Sequence, residues 1–572
     1  MNIYIIATVV LVAGISIWLW YDVRRKKPVK KECTADFYRF ENITEELRNA
    51  VNAVLNEDIS TMNILPEQMV KRRKQQMALR NATRTACLGD PGEGEYLKEY
   101  LKELLQTRLG INEQTICLAI PFGESAHMSA QELFEYMYMM YRRIYGIHVF
   151  RHMEEDFGFT EPEYDEEGRP IFSITEGKVR AAYNECKYVG TYVDMLETLT
   201  QRCYELLYGH DVADLLIMDG DFDGVSGGVG GRTRNEYNYM EELMGLGDRS
   251  ADNSFDVVYA VYKGRLVRMK FMSFGREEAL IRVVKNIYRY NTRATLSKRN
   301  PVLNASLRNN SRIVVARPPV SDSWAFYVRK FASTDARKIE SLIVDEGAEK
   351  VIELLKQIVT SEMNFTISGN TGGGKTTLLK ALVSYINPSY ALRVIESSFE
   401  LNINNLYPDR NVHVMQERGD YTVYDCIAAS KKMDTDVLIL GEVNEPKIAG
   451  AFVQVAQSGS RMAITTLHHE TTRKLIDYLR NALVECGLTD VRIAERQVVE
   501  LINFDVHMVH DVSGHHYIER ITQILPCDED SATVQRTYTL RNIVEFDTER
   551  KKYVFLNEPV GLTVKKGGEA AG

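Results

Sequence analysis

The spacing of apolar positions changes several times along this chain, and each change marks a different kind of element. Residues 3–21 carry only Thr8 and Ser16 among apolar, glycine and aromatic residues, and no charge. At about 1.5 Å per helical residue the stretch reaches roughly 30 Å, the hydrocarbon thickness of a bilayer. Arg24, Arg25, Lys26, Lys27, Lys30 and Lys31 follow, with Trp18, Trp20 and Tyr21 at the interface position. The pattern predicts a transmembrane anchor over residues 1–22, with its basic edge and the rest of the chain in the cytoplasm and the location at the cytoplasmic membrane. A cleaved signal peptide would need a basic segment before the apolar run and a small-residue cleavage site after it, and neither is present. A helix lying on the surface would need a polar face, which this run lacks.

From residue 34 to 215 the apolar spacing is helical, with segments at 67–85, 96–107, 129–145 and 176–207, and predicts an α-helical N-terminal domain. Its basic stretch, Lys71 to Lys74 with Arg80 and Arg84, reads as the solvated side of a helix rather than a lipid-binding face. Residues 219–250 are rich in glycine. They open as Asp219-Gly220-Asp221-Phe222-Asp223-Gly224, like a calcium loop, but the twelfth position is Gly230 instead of a bidentate Glu, so a flexible linker is expected. Strands at 257–262, 266–271, 312–316 and 324–330 with a helix at 277–290 predict a small α+β domain over 255–333. Over 340–550, apolar strands at 363–368, 391–396, 437–441 and 462–467 alternate with helices. That order predicts an α/β domain with a largely parallel sheet and a ligand at the carboxyl ends of its strands. A disordered tail is expected over 556–572.

The 572 residues, 45% hydrophobic and 26% charged, suffice for three domains beyond the anchor. A net charge of −9 gives no polyelectrolyte footprint, so no nucleic-acid partner is expected. The eight cysteines show no C-x-x-C spacing, which argues against a zinc site or a disulfide framework.

The chemistry concentrates in the α/β domain. Gly369-Asn370-Thr371-Gly372-Gly373-Gly374-Lys375-Thr376 is a complete G-x-x-x-x-G-K-[ST] phosphate loop, preceded by an apolar strand and followed by an amphipathic helix that begins with Thr377. Its backbone N–H groups suit the β-phosphate of a nucleotide, Lys375 the β- and γ-phosphates, and the Thr376 hydroxyl Mg²⁺. The expected ligands are ATP and Mg²⁺. The apolar strand 437–441 delivers Glu442 at its end, where a carboxylate can orient or deprotonate water. Glu396 and Glu400 follow a second strand, and His468 a third; a lone histidine there is more often structural than catalytic.

Taken in order, these elements resemble the ATPases of type II secretion, type IV pili and type IV secretion, most closely the tight-adherence (Flp) pilus branch. The resemblance spans roughly residues 255–550. It includes Val258 to Gly264; Leu307-Arg308-Asn309-Asn310-Ser311-Arg312, similar to L-x-D-G-S-R; Val328-Arg329-Lys330-Phe331, similar to I-R-K-F; and the phosphate loop. It continues with Ile395-Glu396-Ser397-Ser398-Phe399-Glu400-Leu401 for the aspartate box, Gly441-Glu442-Val443-Asn444 for Walker B and Thr465-Thr466-Leu467-His468 for the histidine box. The resemblance implies a RecA-like motor and a homo-hexamer working with a polytopic membrane platform protein. It makes Glu442 the catalytic glutamate, gives Glu396 and Glu400 the Mg²⁺–water network, and has His468 sense the γ-phosphate. It also brings Arg312 and Arg329 to nucleotide across a subunit boundary. The implied function is ATP-driven pilin assembly or protein export. Two charges of the family pattern are missing, at Ser397 and Asn444, and the region after His413-Val414 lacks the usual arginine. These losses motivate the alternative of a weakly hydrolysing, nucleotide-binding scaffold.

Overall fold

The computed structural model describes residues 35–562 apart from 63–64, 89, 147, 234–251, 290–291, 293, 331–337, 418–420, 458, 489, 512–513 and 528–535. The chain divides into two units, residues 1–330 and 331–572.

In the first unit helices form at Pro66–Thr85, Pro91–Thr107 and Ala130–Tyr145, the stretch expected over 176–207 divides into Glu176–Glu185 and Tyr192–Leu207, and Phe40–Leu55 and Val149–Phe157 join them. Ser129 and Thr191 begin two of them as capping boxes, each hydroxyl accepting from the backbone N–H three residues on, which satisfies donors that the helix leaves unpaired. A short hairpin, β1 (Glu163–Tyr164) and β2 (Pro170–Ile171), precedes a seven-stranded sheet. Its strands are β3 (Ser173–Ile174), β4 (Phe222–Gly227), β5 (Val258–Tyr262), β6 (Arg265–Met269), β7 (Val302–Ser306), β8 (Arg312–Ala316) and β9 (Ala325–Arg329), in the order β3-β6-β5-β4-β9-β8-β7. Helices and sheet share one hydrophobic core. The Phe150 ring lies 4.5 Å from Phe222 and 5.0 Å from Tyr262, and Phe134 lies 4.9 Å from Phe271.

β4 occupies the stretch expected to be a linker. The Asp-Gly-rich composition hides a strand because its three carboxylates, Asp219 and Asp221 buried and Asp223 exposed, all serve as acceptors for protein donors. Asp219 accepts from the Tyr138 hydroxyl (2.8 Å) and from the Asp221 N–H (2.8 Å). Asp221 meets His148 Nδ1 at 2.7 Å and accepts the Arg151 N–H at 2.9 Å, while Asp223 accepts the Gly264 N–H at 3.0 Å. Beneath them Lys330 donates to the carbonyls of Leu216 (2.6 Å) and Asp219. Burial pulls its amine down to about 8 although the aspartates oppose that shift.

The second unit holds a nine-stranded sheet. Its strands are β10 (Phe365–Gly369), β11 (Leu392–Glu396), β12 (Val412–Gln416), β13 (Val437–Leu440), β14 (Met462–Leu467), β15 (Phe504–His510), β16 (His516–Pro526), β17 (Tyr538–Asp547) and β18 (Lys552–Phe555). The order is β12-β11-β13-β14-β10-β15-β16-β17-β18, parallel as far as β15 and antiparallel after it. Strands β10, β11, β13 and β14 are buried along their whole length, as the central strands of a parallel sheet covered on both faces must be. Alternate residues feed two cores. Val394, Val437, Ile439 and Ile464 join the helices Ala348–Thr360 and Lys375–Leu382. Ile395, Leu438, Leu440 and Ala463 join Pro446–Ala456, Thr472–Glu485 and Val491–Leu501.

Two further expectations are corrected. Among the described residues no helix is long and apolar enough to cross a membrane. The 20-residue helix Pro66–Thr85 has the length, but it carries six Lys and Arg residues. The expected location at the membrane is therefore overturned; residues 3–21, on which it rested, lie outside the described residues. The expected disordered tail does not begin at 556, because Leu556 donates to the Ile543 carbonyl, and Val560 exchanges two hydrogen bonds with the Gln523 side chain.

Because Asp219, Asp221 and Asp223 are committed to protein donors, millimolar Ca²⁺ or EDTA is expected to leave the thermal unfolding midpoint unchanged. A rise of several degrees with Ca²⁺ would contradict this arrangement.

Candidate nucleotide site

The parallel register sets the site. Ile395 lies opposite Leu440, Leu440 opposite Thr465, and Ser368 opposite Leu467. The next residues along these strands, Glu396, Gly441 with Glu442, His468 and the phosphate loop, therefore emerge along one sheet edge. Two hydrogen bonds lock the exits: the Thr466 hydroxyl donates to the Gly441 carbonyl at 2.7 Å, and Val443 N–H donates to the Thr466 carbonyl at 3.1 Å.

Gly369 ends β10 at φ 134°, and a Cβ there would lie 1.9 Å from the Met508 carbonyl oxygen. No side chain fits, so the loop is pinned between β10 and β15. Gly374, at φ 87°, caps the helix that starts at Lys375. Asn370, Thr371 and Gly372 are exposed, Gly373 is buried, and Thr376 and Thr377 are half-buried at the first helical turn.

Lys375 is buried. Its ammonium donates to the carbonyls of Gly369 and Asn370, both at 2.8 Å, and meets His468 Nδ1 at 3.2 Å. An ammonium only donates, so Nδ1 accepts and the imidazole proton sits on Nε2. Nε2 lies 2.9 Å from Glu442 Oε1, to which it donates. Lys375, His468 and Glu442 thus form one continuous chain, with the last two side chains about a third exposed.

Glu396 is held differently. Its Oε1 accepts the backbone N–H groups of Glu400 (2.9 Å) and Leu401 (2.8 Å), while the buried Oε2 has no hydrogen-bond partner among the described residues. Burial pushes the carboxyl up to about 7, against the two N–H groups that favour its anion. Gly441 leaves room for it, since a Cβ there would lie 3.1 Å from Glu396 Cγ. Glu400 is half-buried. Burial also holds the Lys380 amine below its ordinary value, although Glu400 and Glu396 act to raise it.

Beneath the loop lies a polar ladder. Ser368 meets His507 Nδ1 at 2.9 Å, and Asp505 accepts the hydroxyls of Thr366 (2.9 Å) and Thr472 (2.7 Å). Burial drives His507 down to about 4, helped by Arg520 and Lys375. Arg520 in turn donates to the Glu470 carbonyl, just past His468. Nothing in the sequence singles out Asp505 or His507; polar residues alternating on β10 and β15 are the only trace. Arg312 and Arg329 belong to the first unit, as direct cross-strand partners on β8 and β9.

A family model described as "Type II/IV secretion system protein" matches residues 256–550, a little over half of the chain. The chain belongs to this family. Among relatives, the chain is 27% identical to an uncharacterized protein of Methanocaldococcus jannaschii over 200 residues, 34% of this chain and 36% of that protein. It is 25% identical to the type IV secretion system protein VirB11 of Bartonella quintana over 231 residues, 34% of this chain and 64% of that protein. The chain thus matches between a third and two thirds of these relatives' lengths. Among solved structures, similarity extends to the VirB11 ATPase of Brucella suis in complex with sulphate (19% identity, TM-score 0.28, 53% of this chain and 89% of that one). It also extends to the pilus retraction motor PilT with bound ADP (17% identity, TM-score 0.35, 57% and 84%). In this family member all the motif residues between β10 and β14 lie on one sheet edge.

The Glu396 carboxyl titrates near 7 when folded, against about 4.5 when unfolded, so the folded chain binds more protons between these values. Its relative stabilisation is complete below about pH 4.5 and is lost as pH rises toward 7. Glu396→Gln keeps the Oε1 acceptor and removes the charge. Without nucleotide it is expected to match the parent in denaturant unfolding at pH 4 and to exceed it by up to about 3 kcal/mol at pH 8. Equal stability at pH 8 would show that Glu396 is not held in this environment.

Proposed function

We propose that this chain is an ATP-hydrolysing motor of a secretion or pilus-assembly machine, working as a homo-hexamer against a polytopic membrane platform protein. The observation that carries the reading is the chain Lys375–His468–Glu442 at the mouth of the phosphate loop.

The residues present suit a nucleotide with a divalent cation. The pinned loop leads into a helix N-terminus, whose unpaired N–H groups and dipole suit an anion, and the orphaned, buried Glu396 Oε2 suits a water bound to a cation. Mg²⁺ would be held by the Thr376 hydroxyl and the phosphates themselves, where it neutralises charge that builds up during phosphoryl transfer. Phosphate oxygens outcompete the neutral carbonyls of Gly369 and Asn370 for the Lys375 ammonium, because the ion pair is the stronger hydrogen bond. Glu442 takes the proton of the attacking water as its oxygen bonds to the γ-phosphorus and the bond to the β–γ bridging oxygen breaks. His468, donating through Nε2, keeps that carboxylate aimed.

Arg312 and Arg329 support the ring. Like charges directly opposite on neighbouring strands cost stability, and a phosphate brought by an adjacent subunit repays that cost. The exported cargo on this reading is a pilin or another protein. A scaffold that only holds nucleotide is the weaker reading. Ser397 and Asn444 remove two charges from the family pattern, but a glutamate oriented by a histidine has no use in binding alone.

Glu442→Gln is expected to bind ATP within about threefold of the parent and to lower steady-state phosphate release by about 10²–10⁴-fold, while Lys375→Ala loses binding as well. Phosphate release unchanged in Glu442→Gln would remove the glutamate from its role. Arg329→Ala is expected to lower turnover by about 10³-fold, with ATP binding retained. Full turnover in that variant would contradict a nucleotide shared between subunits.

A further inference from the structure

The phosphate loop has a second wall that none of the motifs covers. β15 and β16 pair His510 with His516, and the two rings lie 5.6 Å apart. Both face loop glycines. A Cβ on Gly372 would lie 3.8 Å from His510 Cε1, and a Cβ on Gly374 would lie 3.4 Å from Met508 Cε and 3.5 Å from His516 Nδ1. The buried Nδ1 of His510 has no hydrogen-bond partner among the described residues. An imidazole nitrogen left this way carries a desolvation cost that a partner would remove.

Other polar groups of the hairpin are already engaged. His515 pairs with Asp345 at 3.2 Å and stacks on Tyr517, and His507 bonds to Ser368. His510 thus stands beside the glycines of the loop with a polar atom to offer, on β15, which flanks β10 on the side opposite to His468 on β14.

We propose that His510 is a further nucleotide-binding residue, hydrogen-bonding the phosphate chain of the bound nucleotide from the β15 side of the loop, with His516 and Met508 backing its ring. The inference rests on the reading of the loop as an ATP site. The contact is made in substrate and product alike, so it acts on binding rather than on the chemical step.

The test measures ATP, ADP and pyrophosphate binding by calorimetry on the full chain and on His510→Ala, His510→Phe and His510→Asn, with ATP turnover in parallel. His510→Ala and His510→Phe are expected to weaken all three ligands by roughly tenfold, the effect of one hydrogen bond to a charged group. The loss should appear in KM more than in kcat, and His510→Asn, which keeps a donor, should recover most of the affinity. Phe retaining full affinity, or Asn failing as badly as Ala, would overturn the proposal, as would weakening confined to ATP and ADP with pyrophosphate unaffected, which would put the contact on the nucleoside. A parent chain that binds no nucleotide would instead sink the ATP-site reading itself. Unfolding midpoints without ligand, expected to agree among the four proteins, separate lost contact from lost fold.

Discussion

The site depends on parallel registry. Because β11, β13, β14 and β10 run side by side in the same direction with matched ends, the residues just past each strand meet on one edge with no long loop needed to bring them there. That edge is fixed again by the close approach of Gly369 to Met508, which leaves the loop no room to shift toward β15. A one-residue slip between β13 and β14 would exchange the faces of their side chains and send apolar residues of one core into the other. Hydrophobic burial therefore enforces the alignment on which the polar chemistry relies.

The carboxylates at this edge then sit in different electrostatic environments. Glu442 is partly exposed and paired with His468 Nε2 at 2.9 Å. Glu396, deeply buried with one oxygen engaged and the other unmatched, is held with a raised pKa at neutral pH. The two lie at the ends of neighbouring strands, and their environments rather than their residue type separate them. The ladder of Ser368, His507, Asp505 and Thr472 below the loop ties β10 to β15 and to the helix after His468, so the loop and the histidine box share a polar foundation.

The sequence made the strands of the second unit legible where they are wholly buried. The run at 437–441 is continuously apolar, those at 391–396 and 462–467 are apolar apart from Arg393, Glu396, Thr465 and Thr466, and each became a wholly buried strand. It did not reveal β12, an edge strand of half-exposed residues around His413, nor the antiparallel extension from β16 to β18, where buried Thr522 and Gln523 break the apolar pattern. In the first unit β4 was masked by its glycines and aspartates, whose compensating hydrogen bonds come from residues as distant as Tyr138 and Gly264. The motif residues from Gly369 to His468 were all readable because phosphate chemistry restricts the residue types at fixed spacing. His510 was not, since its place beside the loop arises only from the pairing of β15 with β10.

Whether the aligned edge of the second unit is a phosphoryl-transfer site is decided by a structure of the full chain with Mg²⁺ and a non-hydrolysable ATP analogue. The triphosphate is expected in the loop from Gly369 to Thr376, with the Lys375 ammonium moved from the Gly369 and Asn370 carbonyls to the phosphates. The Glu442 carboxylate is expected within hydrogen-bond reach of a water in line with the γ-phosphorus. Analogue bound away from the loop, or Glu442 turned from the γ-phosphate with Lys375 still on the loop carbonyls, would contradict a phosphoryl-transfer site there.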